Sequence, residues 1–358
     1  MAASAVLAAT EQLTYRKGGW QQLHLLLTSI KEGFKEGHRE ADQPQGPAPQ
    51  AEKGPSLRYY NWEKEIAPWV QQGELLGEGG CGKVYKGCLD GHDVAIKVVT
   101  PKGTGPEHLT HLHNAAQSSL QEFNNVVRLQ QDSDLFARLL GITHHPDGTL
   151  CMVSERANLG ALEDIPKELY PHEGLLLFSQ YAHGVARMHE LRTLHGDLKP
   201  DNLLLHRKSD GSLIGRIADL GLAQILLPGS SSGLDQGGTP DFMAPELELT
   251  GLTCEVDVYA FGITMGVLFS GMDPVEVDEA AKVASGPKVR VAKRRKVMSE
   301  VEDRVHAKFK EVLVGAPVVG SLVNLVFECS HRLPGKRPAA AQVAARLEKI
   351  AGSRTVGG

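Results

Sequence analysis

HGDLKPDN at His195–Asn202, followed by ADLG at Ala218–Gly221, is the stretch around which the rest of the chain is organised. It sets a carboxylate (Asp197), an ammonium (Lys199), a side-chain amide (Asn202) and a second carboxylate (Asp219) on adjoining turns. A group able to accept a hydroxyl proton, a cation and two oxygen ligands suit phosphoryl transfer, in which catalysis is mostly positioning and charge neutralisation around magnesium.

The chain has 358 residues, enough for one large domain or two lobes with a real core. Its 38 basic and 43 acidic residues give a formal charge of -5, which excludes a general polyanion binder and makes any basic patch local. Cys81, Cys88, Cys151, Cys254 and Cys329 are odd in number and scattered, unlike a disulfide framework or a zinc site. No apolar run approaches the ~18 residues of a membrane span, and the short apolar start at Ala5–Ala9 has no basic residue before it. These features predict a soluble cytoplasmic protein without a membrane span.

Upstream, Trp20, Leu23, Leu27, Ile30 and Phe34 recur at helical spacing within an N-terminal segment, residues 1–42. Such a helix docks on its own domain or binds a partner protein. The Pro-, Gly- and Gln-rich residues 43–55 read as a linker, and residues 56–69 as a lead-in to a domain over residues 70–350. Val70–Thr100 reads as a strand, a tight turn and two more strands, followed by a helix over 115–130 and strands near 139–143 and 150–154. Apolar patterning then predicts helices over 175–190, 256–270, 321–331 and 339–350. The expected fold class is α+β: a small antiparallel sheet lobe with one helix (about 70–154), a larger helical lobe (about 155–350) and a tail at 351–358.

GEGGCGKV places Gly77, Gly79 and Gly82 in the G-x-G-x-x-G arrangement, with Glu78, Gly80 and Cys81 between them. Glycines let a backbone turn sharply and approach phosphate oxygens. The dinucleotide-binding fingerprint shares this spacing but opens a helix. Here Val84 continues a strand and VAIK (Val94–Lys97) follows on another, so the loop covers a hairpin. A lysine such as Lys97, at the end of an apolar strand, needs a carboxylate and a polyanion to stay charged. Glu107 and Glu122 are the candidates before Asp132; Glu122, beside apolar Phe123, Val126 and Val127, can point inward with them. His108, His111 and His113 lack metal-ligand spacing and read as a polar loop or helix start.

Taken in order, the glycine loop, VAIK, Glu122, HGDLKPDN, DLG and MAPE (Met243–Glu246) resemble the eukaryotic protein kinase family over about residues 70–350. The resemblance implies the two-lobed kinase fold, ATP and Mg2+ as cofactors, and a protein substrate with a serine or threonine acceptor. By position, Asp197 would be the base and Lys199 would neutralise charge on the transferring phosphate. Asn202 and Asp219 would hold magnesium, and Lys97, braced by Glu122, would grip the ATP phosphates under Gly77–Gly82. Ser154 resembles the gatekeeper and Glu155–Ala157 the hinge that bonds adenine, while Val84, Ala95 and Leu204 would sandwich the purine. Val126, Leu140, His195 and Leu220 would form the stack joining the lobes, Asp257 would brace the catalytic loop, and Glu246 would pair with Arg337. DLKPDN and GTPDFMAPE, with Thr239 bridging base and lysine, resemble the serine/threonine type, and the whole set most resembles its tyrosine-kinase-like branch.

Three departures stand out. Gly196 replaces the arginine that in many kinases receives an activation-loop phosphate, so phosphorylation of Ser230, Ser231 or Ser232 is not expected to be required. Leu220 replaces the usual phenylalanine while Asp219 and Gly221 remain. The run KVASGPKVRVAKRRK (Lys282–Lys296), within an insertion at about 282–310, reads as a solvated loop, a nuclear import signal or a contact for an acidic substrate, membrane or nucleic acid. No aromatic interleaves its cations, which weighs against a single-stranded nucleic acid partner. Because every chemical group is present, an active enzyme is expected over a pseudokinase scaffold.

Overall fold

A computed structural model describes residues 57–79, 82–99, 108–130, 134–146, 149–164, 171–226, 238–247, 252–286, 289–308 and 316–352. The N-terminal helix, the linker, Gly80, Cys81, Glu107 and Ser230–Ser232 lie outside them. The chain divides into two compact units, residues 1–156 and 157–358. The architecture is α+β.

The first unit is a six-stranded sheet in the order β1–β5–β6–β4–β3–β2. Its strands are β1 (Arg58–Tyr59), β2 (Leu75–Gly79), β3 (Gly82–Leu89), β4 (His92–Val98), β5 (Leu139–His144) and β6 (Leu150–Glu155). All neighbours pair antiparallel except β1, which runs parallel to β5. Strand alternation builds two faces. On one, Val94, Ile96 and Val98 pack with Cys151 and Val153 against Tyr60, Ile66 and Trp69. The lead-in is therefore part of this unit: Tyr60 follows β1, and a π-helical turn at Trp62–Ile66 and the short helix α1 (Ala67–Gln72) carry Ile66 and Trp69. On the other face, Phe123 and Val127 of α2 (His108–Gln130) pack on Leu139, Ile142, Leu150 and Met152. Helix α2 starts earlier than the apolar pattern suggests, and His108, His111 and His113 fall in its first turns.

In the second unit, α3 (Pro171–Glu190) leads into β7 (Thr193–Leu194), the hairpin β8 (Leu203–Arg207)–β9 (Leu213–Ile217), and β10 (Gln224–Ile225), which pairs with β7. Helix α4 (Cys254–Ser270) is apolar nearly all round, with Val256–Gly266 buried, as a central core helix must be. Around it come α5 (Pro274–Ser285), α6 (Val291–Lys308), α7 (Ala316–Cys329) and α8 (Ala340–Gly352). The basic run is not a loop: Lys282–Ser285 ends α5 and Val291–Lys296 opens α6. Val301 and Val305, four apart, bury one side of α6, and Lys282 pairs with Asp278 at 2.8 Å. No single described helix is long and apolar enough to cross a membrane.

Candidate active site

In the first unit, β4 sends Val94, Ile96 and Val98 to the apolar face and Lys97 to the face covered by α2. Lys97 Nζ donates to both carboxylate oxygens of Glu122, at 2.7 and 2.8 Å. Glu122 is 5% exposed, and removing one partner of such a buried pair costs about 3–5 kcal/mol. The hairpin before it pairs Gly77 with Val84, Glu78 with Lys83 and Gly79 with Gly82, and Gly77, Glu78 and Gly79 are exposed. Gly82 has φ +139°, and a Cβ there would lie 2.4 Å from the Val98 carbonyl oxygen. The glycine is thus fixed by chain packing as well as by any ligand. Val84 and Ala95 are half-buried on β3 and β4. The Glu155 N–H donates to the Arg138 carbonyl at 2.9 Å, which anchors the end of β6.

In the second unit, Asp197 is the centre of a bonded group. Its Oδ1 accepts from the Thr239 N–H (2.9 Å) and hydroxyl (2.8 Å). Its Oδ2 lies 3.1 Å from Lys199 Nζ, which also donates to Thr239 Oγ1 at 2.7 Å. Asn202 Nδ2 donates to the Asp197 carbonyl at 2.7 Å. The Ala218 N–H donates to the Asn202 carbonyl at 2.9 Å, tying the residue before Asp219 to the same loop. Asp219 holds a left-handed conformation, φ +55°, ahead of a single 3-10 turn over Leu220–Leu222. Such a conformation is uncommon outside glycine, though Asp adopts it more readily than most residues. An amide oxygen and a carboxylate are the hard oxygen donors magnesium takes, so Asn202 and Asp219 fit that ion. Among the described residues no cluster of three or more His, Cys, Asp or Glu side chains could hold a metal ion.

The loop is braced from behind. Asp257 on α4, 1% exposed, accepts from the backbone N–H groups of His195 (2.9 Å) and Gly196 (3.0 Å) and from His189 Nε2 (2.9 Å). Burial pushes its carboxyl up, but the His189 bond and charge, with the Gly196 N–H bond, hold it below the ordinary carboxylate range. His195 donates from Nε2 to the Ala218 carbonyl (2.9 Å) and accepts the Asp197 N–H at Nδ1 (3.2 Å), which selects the neutral Nε2–H tautomer. Gly196 sits at φ +82°, where a Cβ would lie 3.1 Å from the Leu222 carbonyl oxygen. Leu220 is buried, and Leu204 is half-buried on β8. Arg337 and Glu246 form a buried two-bond pair, and the guanidinium also covers the Tyr259 ring at 4.8 Å. Ala157 is buried at the start of this unit.

Sequence reasoning missed two contributors. His189 stands at the C-terminal end of α3, and no motif marks it. Glu163 hydrogen-bonds Asp201, next to Pro200 in the loop, and that bond and the Asp201 charge raise its carboxyl to about 7. A Glu-Asp pair at Glu163–Asp164 gives no sign of a partner so far along the chain.

Residues 70–346 match the protein kinase domain family. Among relatives, the chain is 27% identical to Receptor-like protein kinase 7 of Arabidopsis thaliana, over 85% of this chain and 33% of that protein. It is 30% identical to the Putative L-type lectin-domain containing receptor kinase II.2 of the same plant, over 80% of this chain and 42% of the other. A bacterial relative, Serine/threonine-protein kinase pkn2 of Myxococcus xanthus, is 30% identical over 56% of this chain and 24% of its own length. The chain therefore spans less than half the length of each of these relatives. Since the matched residues enclose both the Lys97–Glu122 pair and the Asp197 group, the chain belongs to the eukaryotic protein kinase family of phosphotransferases, most like its tyrosine-kinase-like and receptor-like-kinase members.

Proposed function

We propose that the protein is an active serine/threonine kinase that transfers the γ-phosphate of ATP to protein hydroxyls. The observation that carries this reading is the closed triangle of Asp197, Lys199 and Thr239, with legs of 2.7 to 3.1 Å. In it, Thr239 holds Oδ1 of Asp197 by two bonds, while Oδ2 has the looser contacts and takes the proton of the acceptor hydroxyl. The acceptor oxygen then bonds the γ-phosphorus as its bond to the bridging oxygen breaks, and ADP leaves. Lys199 lies where its ammonium can offset charge on the moving phosphoryl group.

Lys97, kept in place by Glu122, is assigned to the α and β phosphates, and the backbone of Gly77–Gly82 to covering them. Asn202 and Asp219 would hold magnesium, which when bound would supply charge neutralisation for the phosphate oxygens. Asp257 and His189 keep the loop backbone in place without touching substrate. A serine or threonine acceptor is supported by the Thr239 bridge and by the likeness to Serine/threonine-protein kinase pkn2.

Incubation with labelled ATP, magnesium and a generic protein, followed by phosphoamino acid analysis, tests this reading. Label on serine and threonine is expected. Label mainly on phosphotyrosine, or none on a folded protein, overturns it.

A further inference from the structure

The cations that open α6 have no part in the chemistry above, and their placement runs against helix stability. Arg290, Lys293, Arg295 and Lys296 are exposed, and the first turn of α6 contains no acidic residue. Cations at a helix N-terminus oppose the helix dipole. The neighbouring α5 has the favourable arrangement, with Glu276 in an Asp273 capping box at its start and Lys282 in its last turn. Arg290, Lys293 and Arg295 make no side-chain hydrogen bond or ion pair among the described residues, and Lys296 reaches only Glu300, at 3.7 Å. Meanwhile Val301 and Val305 fix the other side of the helix in the core, and Arg294 donates to the Gly286 carbonyl at 2.6 Å. The patch is therefore presented outward on a firmly held element.

We propose that the first two turns of α6, with Arg290, form a docking surface for an acidic segment of a partner protein. Charge complementarity names the chemistry, and the neighbouring carboxylates narrow the class. Glu300, Glu302 and Asp303 follow directly on the same helix. Lys296 and Glu300 are separated by about 6 Å of helix rise, within the screening length of about 8 Å at physiological salt. A bilayer or a nucleic acid duplex laid along α6 would press its phosphates on those carboxylates. A short acidic segment that stops at Lys296 avoids them. No Phe, Tyr or Trp lies between Lys282 and Lys296 to stack a base.

The test is fluorescence anisotropy of a labelled short polyglutamate peptide titrated with the full chain. The comparison is a variant carrying Lys293→Glu, Arg295→Glu and Lys296→Glu. Glutamates in the first turns favour the helix, which offsets the loss of the exposed Lys296–Glu300 pair, so its melting temperature is expected to change little. The wild type should bind the peptide, less tightly as salt rises, and the variant about tenfold or more weakly. A second variant, Glu300→Gln with Asp303→Asn, should bind at least as well as wild type. No binding by wild type, equal binding by the charge-reversed variant, or tighter binding to phosphatidylserine vesicles or duplex DNA than to the peptide overturns the proposal.

Discussion

Thr239 Oγ1 donates to Asp197 and accepts from Lys199, so a single hydroxyl keeps a base and a cation in register. Thr239→Val preserves the shape and the backbone N–H bond but removes that hydroxyl. Turnover should fall about tenfold to a hundredfold from misplacement alone, with an unchanged melting temperature. A steady-state assay beside a thermal melt checks this. The Glu163–Asp201 pair makes a pH prediction. Glu163 in the folded chain is raised to about 7, above its ordinary 4.5, so between those values the folded state holds a proton that the unfolded state has lost. Stability from this group is therefore present at low pH and declines as pH rises toward 7. Glu163→Gln, which does not titrate, should flatten the fall in melting temperature between about pH 5 and 7.5. An unchanged slope would count against the pair. Glu163 illustrates where sequence reading stops: its partner is set by the path of the chain between Leu162 and the loop, which no local pattern encodes. Asp197, Asn202 and Lys199 were legible because one short loop delivers all three.

At the level of elements, periodicity located strands β2–β6 and helices α2, α3, α4, α7 and α8, because β4 alternates and α4 is apolar throughout, but it gave no sign of β7–β10 or of α5 in the second unit. It missed β1, the π-helical turn and α1, which are too short for any period to register. Only packing reveals their role: Tyr60, Ile66 and Trp69 cover the sheet face opposite α2. The basic run itself shows no apolar face, because the two side chains that make α6 a docked helix, Val301 and Val305, lie beyond it. Long-range pairs also tie elements together, at a cost when one partner is lost. Arg337, 8% exposed, bonds Glu246 by both terminal nitrogens and also donates to the Glu255 carbonyl at 2.8 Å. Arg337→Met should lower unfolding free energy by about 3–5 kcal/mol, because it strands the Glu246 carboxylate in the interior. Urea denaturation measures that loss.

On the scale of the whole molecule, a sheet unit supplies the Lys97–Glu122 pair and a helical unit supplies the Asp197 group, each stabilised by its own core. Thr239 satisfies one Asp197 oxygen, Glu122 satisfies Lys97, and Asp257 fixes the loop from the central helix α4. Such pre-paired groups lower the reorganisation needed when charge moves. The most direct test compares phosphate transfer from ATP and magnesium by wild type and by Asp197→Asn, with melting temperatures taken in parallel. The predicted result is transfer to serine or threonine by wild type and a loss of about 100-fold or more in the variant, without loss of fold. Equal rates for the two proteins, or no transfer by a folded wild type that binds ATP and magnesium, would contradict the assignment of Asp197 as the base.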